Sequence, residues 1–291
     1  MLRIAVIADG RYVGLARRAN GEWPLVIRRI KDGNTIASWD HPKGWRVDRV
    51  GVSANSKYVG VVLDEDPVSP LPGYRLSKQN LRIGLIGPEV AKLDWVLTLS
   101  GKKSEAQSIR QVRPSDDGGY VALAGWYYGA AVIDIRGRAL LWVNRPKEEV
   151  GMVDVAFSPD QSVVYAGGGE GCVYGMETTT GRIKSRWFAT KSGRSEYGQR
   201  ISKVAVSPDG RFVVAGTGPD GIAYVWERQT GRRVRSVTHG HSTILAVSFS
   251  PDSSAVATFV PGSIKVWGLP HRSGAATRTT APARMKMHQR R

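Results

Sequence analysis

The 291-residue chain has little of what several classes of protein require. Its single cysteine, Cys172, excludes an intramolecular disulfide, a zinc site built from two or four cysteines, and a CxxC redox pair. The longest apolar stretch, residues 120–133, is interrupted by two glycines and is shorter than the ~20 residues that span a bilayer. Because neither a disulfide framework nor a targeting segment is evident, we predict a soluble, cytoplasmic protein that does not bind a membrane.

Groups that carry catalysis are also scarce. The chain has five histidines, no HExxH or GxSxG motif, and only 25 acids against 42 Lys and Arg, which gives a formal charge of +17. His239 and His241 alternate in sequence, but no third metal ligand lies near them. We therefore predict that the protein is not an enzyme and has no metal site, no cofactor and no small-molecule substrate. Cys172 is predicted to be a buried, inert thiol.

Six copies of one pattern occupy most of the chain. The clearest are MVDVAFSPDQSVVYAG at 152–167, ISKVAVSPDGRFVVAG at 201–216 and ILAVSFSPDSSAVAT at 244–258. Their turn residues recur at intervals of 43 to 49 residues, apart from one interval of 62 that contains an inserted surface loop at about 64–80. The six turn residues are Asp9, Asn55, Asp117, Asp160, Asp209 and Asp252.

Each copy predicts four short strands. In the fifth copy, one strand leads into the SPDG turn, a second covers 212–215, a third ends at Trp226 and a fourth covers 232–237. The intervening Gly216–Gly221 matches GxGxxG, but a strand rather than a helix follows it, so we predict a hairpin turn and not a dinucleotide site. Four strands in ~45 residues is typical of a β-propeller blade.

A single blade cannot cover its own faces, so the blades must stack around an axis. The predicted fold is therefore an all-β propeller of four-stranded antiparallel blades, most simply six, with seven still open. The sixth copy lacks an obvious fourth strand, and closure by packing or by part of the tail stays open. The predicted blades cover about 2–44, 45–103, 104–149, 150–198, 199–241 and 242–270, followed by a basic disordered tail at 271–291 that has six cations and no acid.

The SPDG turn, the third-strand tryptophans of IAYVWERQTG and IKVWG, and the Gly240–His241 pair resemble WD40 repeats. The resemblance covers about residues 2–269 and is best in the last three copies. It implies a buried Asp, His, Ser/Thr and Trp network, here incomplete because VPGS replaces the Asp turn of the last copy. Hydrophobic stacking must then hold most blades together. The candidate structural residues are Asp209, Thr217, Asp220, Trp226, His241, Thr258 and Trp267.

By the same resemblance, the loops between blades and the turns between second and third strands share one face. Aromatic and cationic residues are interleaved there, a composition typical of surfaces that recognise proteins or single-stranded nucleic acid. Some of these rings, Trp126 above all, are equally explained as fillers between blades. The candidate partner-binding residues are Trp23, Trp45, Trp126, Tyr127, Tyr128, Lys191, Arg194, Tyr197 and Arg200.

The predicted function is a protein-interaction scaffold whose partner is another protein or a protein complex. Nucleic acid or another anionic assembly, bound through the basic surface and tail, is the alternative. Cations that alternate along the predicted fourth strands, such as Arg182, Lys184 and Arg186, suit either a binding stripe or a protected sheet edge. A hydrolase or lyase site in a central channel is a third possibility, for which Asp154 and Asp48 are the acids to examine.

Overall fold

All regular structure in the described part of the computed structural model is β-sheet. The model describes residues 4–7, 11–15, 24–40, 45–65, 78–87, 93–102, 109–125, 129–144, 151–189 and 199–270. In these ranges no residue is helical, and the strands form six antiparallel sheets, each with its strands in chain order. Five sheets have four strands and the sixth has three. This confirms the predicted all-β propeller of stacked blades.

The sheets are called blades 1 to 6 in chain order. Blade 1 contains β1 (Ile4–Ile7), β2 (Arg11–Leu15), β3 (Leu25–Arg29) and β4 (Thr35–Trp39). Blade 2 contains β5 (Trp45–Val52), β6 (Val59–Glu65), β7 (Lys78–Ile86) and β8 (Leu93–Lys102). Blade 3 contains β9 (Ile109–Pro114), β10 (Tyr120–Gly125), β11 (Gly129–Asp134) and β12 (Ala139–Asn144).

The last three blades follow the same order. Blade 4 contains β13 (Met152–Phe157), β14 (Val163–Gly168), β15 (Cys172–Glu177) and β16 (Ile183–Phe188). Blade 5 contains β17 (Gln199–Val206), β18 (Phe212–Pro219), β19 (Ile222–Glu227) and β20 (Arg233–Thr238). Blade 6 contains β21 (Ala246–Phe249), β22 (Ala255–Val260) and β23 (Ser263–Gly268). The predicted hairpin joins β18 to β19, but β18 continues through Pro219, so only Asp220 and Gly221 lie between the two strands.

The core lies between blades rather than inside any one of them. The middle strands are apolar on both faces, and β14 is buried along its whole length. The outer strand β16 shares its sheet but is largely exposed. Side chains of neighbouring middle strands share a buried cluster at each junction between successive blades, as Val132 of blade 3 does with Val164 and Met176 of blade 4. Each of blades 2 to 5 is therefore covered by a neighbour on both faces.

The first strands lie innermost. β1, β5, β9, β13, β17 and β21 contact one another in succession, and residues from the last five line a central channel of about 530 Å³. The approach is closest between β5 and β9. A Cβ on Gly51 would lie 1.7 Å from the carbonyl oxygen of Val112, so only glycine fits there. The innermost strands are thus packed backbone to backbone.

A Ser-x-Asp turn joins the first and second strands of each of the last four blades. In blade 5, Ser207 Oγ donates to Asp209 at 2.6 Å and accepts the N–H of Phe212 at 2.8 Å. Asp209 in turn accepts the N–H of Arg211 at 2.9 Å. In blade 2, Asn55 takes the place of the aspartate. These side chains replace backbone partners in a tight turn, which explains the recurrence of the pattern.

The turn also requires a left-handed residue directly after the Asp or Asn position. Gly118 and Gly210 meet this need with φ values of 69° and 71°. Ser56, Gln161 and Ser253 adopt the same conformation with φ between 56° and 60°. Glycine therefore supplies the positive φ in only two of these turns, and the hydrogen bonds of Ser with Asp or Asn maintain the others.

Asp160 extends its turn to the next blade. One carboxylate oxygen accepts Ser158 and Ser162, while the other accepts Arg228 Nη2 of blade 5 at 2.9 Å. Burial opposes ionisation of this carboxyl, but the hydrogen bonds from Arg228, Ser158 and Ser162 outweigh it and hold the pKa of Asp160 well below its ordinary value. The carboxylate therefore stabilises the fold in its charged form.

Asp160→Asn should lower the free energy of unfolding near neutral pH by up to about 1 kcal/mol, since the pair is partly exposed. A lowered pKa in the folded state means that the stabilisation is complete above the unfolded pKa of ~3.9 and is lost as the pH falls through the folded value. Urea unfolding from pH 7 downward should therefore show the wild-type advantage disappearing in acid. Asp252→Asn is the matched control, because Asp252 makes the same turn with no cation partner among the described residues. Equal losses in the two variants at every pH would contradict the role of the ion pair, because the turn hydrogen bonds of Ser250 and Ser254 lower the pKa of Asp252 as well.

Candidate functional site

Most of the predicted partner-binding residues lie outside the described part of the chain. These are Trp23, Trp126, Tyr127, Tyr128, Lys191, Arg194 and Tyr197. Trp45 begins β5, is half-buried and packs at the junction of blades 1 and 2. The guanidinium of Arg82 lies 4.6 Å from its ring centroid. Arg200 is exposed on β17. The aromatic and cationic loop surface therefore stays a prediction.

A histidine, a threonine and a tryptophan meet at the junction of blades 5 and 6. Thr258 Oγ1 lies 2.6 Å from Nε2 of His239 and accepts the indole N–H of Trp267 at 3.1 Å. The histidine differs from the expected one, since His241 is exposed. His239 occupies this place because it directly follows β20, where its N–H donates to the carbonyl of Gly221 at 2.8 Å. Burial and the nearby Lys265 lower the pKa of His239, so the ring is neutral near pH 7.

Thr217 and Asp220 are close together, but Trp226 does not join them. The Thr217 hydroxyl contacts the Asp220 carboxylate and accepts the N–H of Ile222 at 3.2 Å, which closes the turn between β18 and β19. In blade 5, Ala215 lies where blade 6 has Thr258, because each pairs with the equivalent valine of the first strand. Ala189 likewise holds the place of His239 at the preceding junction. The polar network is therefore absent from that junction.

Aromatic stacking takes its place. Trp187 of β16 stacks between Tyr165 and Trp226, with centroids 5.4 and 6.1 Å away and interplanar angles of 19°. The ring centroid of Tyr224 lies 5.9 Å from that of Trp226. The four rings bridge blades 4 and 5 with geometry favourable for aromatic pairs. Trp187 was not among the residues predicted from sequence. The signal that could have indicated it is an aromatic side chain on a fourth strand that is rich in cations.

Trp226→Ala should lower the free energy of unfolding by about 3–5 kcal/mol, because the ring is 2% exposed and anchors this stack. Ile264→Ala is the control, since Ile264 is 70% exposed and should change stability by less than about 0.5 kcal/mol. Chemical denaturation of both variants measures the difference. An unchanged Trp226→Ala variant would mean that the aromatic stack does not hold blades 4 and 5 together.

Asp154 lies at the inner end of three blades and is 1% exposed. Its two carboxylate oxygens accept the N–H of Val155 and the N–H of Val204, each at 3.0 Å, and Arg113 Nη2 lies 4.0 Å away. These contacts join β9, β13 and β17. Because its oxygens are engaged by fixed amides, Asp154 has the environment of a structural link rather than of a catalytic base.

Asp48, the second acid of the channel hypothesis, pairs with the neighbouring Arg49 at 2.8 Å. Within the described ranges, no group of three His, Cys, Asp or Glu residues has the geometry to hold a metal ion. Cys172 is buried as predicted, and burial raises the pKa of its thiol to about 12. The described residues thus place no reactive cluster in the channel.

The cations of the outer strands are engaged within the protein. On β16, Lys184 pairs with Glu177 at 2.8 Å and Arg186 lies 3.8 Å from Glu170. On β20, Arg233 donates to the carbonyl of Ala189 in blade 4 at 3.0 Å. These contacts tie each outer strand to its own or a neighbouring blade. They fit edge protection better than a free binding stripe.

Among the residues that the structure describes, no helical segment suited to crossing a membrane is found.

Comparison with known proteins matches these blades to a repeat family. The family model described as WD domain, G-beta repeat matches residues 191–227 and 231–268, which contain β17–β19 and β20–β23. These two segments of the chain are therefore similar to WD40 repeats.

Curated relatives match a limited part of the chain. The small ribosomal subunit protein RACK1 of Medicago sativa is 38% identical over 84 residues, which are 29% of this chain and 24% of that protein. Its namesake in Caenorhabditis elegans is 38% identical over 69 residues, 24% of this chain and 21% of the relative. An uncharacterized WD repeat-containing protein of Synechocystis, sll1491, is 34% identical over 65 residues, 22% and 18% of the two chains. The matched region spans about a quarter or less of each relative.

Proposed function

We propose that this WD40-repeat chain is a non-enzymatic protein-interaction scaffold. The observation that carries the proposal is the use of its buried polar groups. Asp154, Thr258 and the turn serines all bind backbone amides or neighbouring side chains within the fold. The groups that can contact a partner are therefore on the surface, where the loops between rigid blades are free to differ in sequence. Its partner is another protein or a protein complex.

The proposed contact surface is the face that carries the loops between blades. Aromatic side chains from Trp126 to Tyr128 would anchor the partner, and Lys191, Arg194 and Arg200 would contact its polar groups. Buried aromatic and Arg contacts carry most of the affinity in protein interfaces. A reducing cytoplasm, where Cys172 stays a thiol, is part of the same proposal.

The test is affinity capture with the intact protein and with the Trp126→Ala, Tyr127→Ala, Tyr128→Ala triple variant. Loss of anchor rings should reduce recovery of a specific partner at least tenfold, measured by quantitative mass spectrometry of the bound fraction. The control is Leu140→Ala, Leu141→Ala, Val143→Ala, which removes exposed apolar side chains from the outer strand of the same blade. Equal recovery by the wild type and the loop variant would overturn the assigned surface.

A second candidate, binding to nucleic acid or another anionic assembly, is favoured by two observations. The chain has a net charge of +17, and two of its relatives are named as small ribosomal subunit proteins. Six of the excess cations lie at 271–291: Arg272, Arg278, Arg284, Lys286, Arg290 and Arg291. Clusters of positive charge attract polyanions without sequence preference.

Fluorescence anisotropy with labelled single-stranded RNA should show binding that weakens with salt, with a slope of about −0.7 per phosphate contacted. Replacing the six tail cations by glutamine in the full-length chain should make that slope shallower. The glutamine variant of Arg182 and Arg232, two exposed cations on the turns of blades 4 and 5, shows the effect of charge alone. Absence of binding at ~50 mM salt would remove this candidate.

A further inference from the structure

The last strand of blade 6 is a sheet edge. In blades 1 to 5 a fourth strand pairs antiparallel with the third one and forms the rim of the sheet. Blade 6 has three strands, and no backbone group of the described residues pairs with the outer side of β23. Such an edge presents a row of N–H and C=O groups to which a further strand can add.

The side chains of β23 that point away from blade 5 are apolar and exposed. Ile264 and Val266 alternate with Lys265 and Trp267, and Trp267 packs against blade 5, so the first two lie on the opposite face. Ile264 is 70% exposed and Val266 is 68% exposed. The rest of this face has no charge either, and consists of Ala246, Ser248, Ala255, Ala257 and Phe259.

The same positions are covered in the two preceding blades. When the third strands are aligned on their tryptophans, Ala223 and Val225 of blade 5 correspond to Ile264 and Val266, and both are 0% exposed. Val173 of blade 4 corresponds to Ile264 and is also 0% exposed. Blade 6 therefore exposes side chains that this fold elsewhere keeps away from water.

The fourth strands of blades 4 and 5 indicate what fits beside β23. Trp187 pairs with Val173 in blade 4, and Val237 pairs with Ala223 in blade 5. Trp187 and Val237 are both buried. An added strand is therefore expected to place an apolar side chain opposite Ile264. The residue two positions earlier in that strand would lie opposite the exposed valine of β23, on the same apolar face.

The charge of the third strand is different in blade 6. Lys265 holds the position that Tyr174 and Tyr224 hold in blades 4 and 5. In those blades the fourth strand brings a cation to the ring: Arg186 lies 5.4 Å from the centroid of Tyr174, and Arg233 lies 5.1 Å from that of Tyr224. In blade 6 the third strand carries the cation itself, so the complementary group on a fourth strand is an acid.

A second cation lies at the same edge. The guanidinium of Arg235 reaches the carbonyl of Gly268 at the end of β23, and Lys265 donates to the carbonyl of Thr238 at 3.0 Å. Within the described ranges neither cation forms an ion pair. Both place positive charge beside the edge, and opposite charges on paired strands stabilise the pairing.

Charge complementarity also distinguishes the segments that could add to β23. The tail at 271–291 has six cations and no acid. A second copy of the chain has a charge of +17 and would bring its own Lys265 and Arg235 to the edge. Since like charges on paired strands are destabilising, an acidic segment of another protein fits the edge better than either.

We propose that β23 binds an extended segment of an acidic partner protein as the fourth strand of blade 6. The segment places an acidic residue opposite Lys265, with apolar residues on either side of it against Ile264 and Val266. In this mode of recognition the main-chain hydrogen bonds give affinity, and the alternate side chains give specificity. The edge shares no residue with the loop surface described under the proposed function, so it goes beyond that proposal and either one can fail alone.

The experiment uses the full-length protein and a fluorescein-labelled peptide, Gly-Ser-Thr-Val-Glu-Val-Thr-Ser-Gly, with fluorescence anisotropy as the readout. Saturable binding is expected. Binding should be at least tenfold weaker for a peptide with lysine in place of glutamate, and for another with serine in place of both valines. Absence of saturable binding would overturn the site. Equal affinity for the lysine peptide would overturn the acidic partner, and equal affinity for the serine peptide would overturn the contact with the apolar face.

Lys265→Glu should reverse the preference, with at least tenfold weaker binding of the glutamate peptide and tighter binding of the lysine peptide. Lys31→Glu is the matched control, because it changes the net charge equally at an exposed turn of blade 1 and should keep the wild-type preference. Melting temperatures establish that both variants fold. The wild-type preference in a folded Lys265→Glu protein would contradict the proposal.

Hydrogen exchange of the wild-type protein tests the strand directly and needs no variant. Amides of residues 263–268 should exchange at least tenfold more slowly when the peptide is saturating. Binding without this protection would contradict strand addition. Equal protection without the peptide would also overturn the proposal, because the tail or a second copy would then occupy the edge, and sedimentation would distinguish a monomer from a dimer. The Trp126, Tyr127 and Tyr128 variant should bind the peptide as the wild type does, so this result is independent of the loop surface.

Discussion

The structure depends on the mutual coverage of apolar blade faces. A four-stranded sheet with two apolar faces cannot be stable in water alone, and here successive blades from 1 to 6 bury their facing middle strands against each other. The outer strands and the turns are comparatively polar because they lie at the rim. The hydrogen bonds, ion pairs and ring contacts between blades then set the position of each sheet relative to the next.

Different kinds of contact hold neighbouring blades together at different junctions. Blades 5 and 6 are joined by the hydrogen bonds of Thr258 with His239 and Trp267. Blades 4 and 5 use the Trp187 and Trp226 stack instead, where alanines replace the histidine and the threonine. Both arrangements fix a third-strand tryptophan, one through its N–H and one through its ring. A repeat can therefore lose its polar signature while its neighbours stay in register.

The strand order and the Ser-x-Asp turns could be predicted from sequence, since both depend on residues close together in the chain. Contacts between blades could not, because they join positions from 19 residues apart, as in His239 and Thr258, to 68 apart, as in Asp160 and Arg228, and the rotation of each strand about the axis is not encoded locally. For that reason His239 rather than His241 reaches Thr258. The stack through Trp187 was missed for the same cause, and Asp154, which bridges β13 to β17, was considered only as an acid of a possible hydrolase or lyase site. Most of the residues proposed to bind a partner fall between the predicted strands, where periodicity gives no information, and outside the part of the chain that the structure describes.

The position of Asp154 has a consequence for motion. Its carboxylate holds the amide of Val204 in the next blade and faces Arg113 in the preceding one. Detaching the inner strand of any one of these blades would leave a charge or an amide without a partner in the water-free interior. Fluctuations of the inner strands near the axis are therefore coupled across three blades, and slow amide hydrogen exchange should be concentrated there.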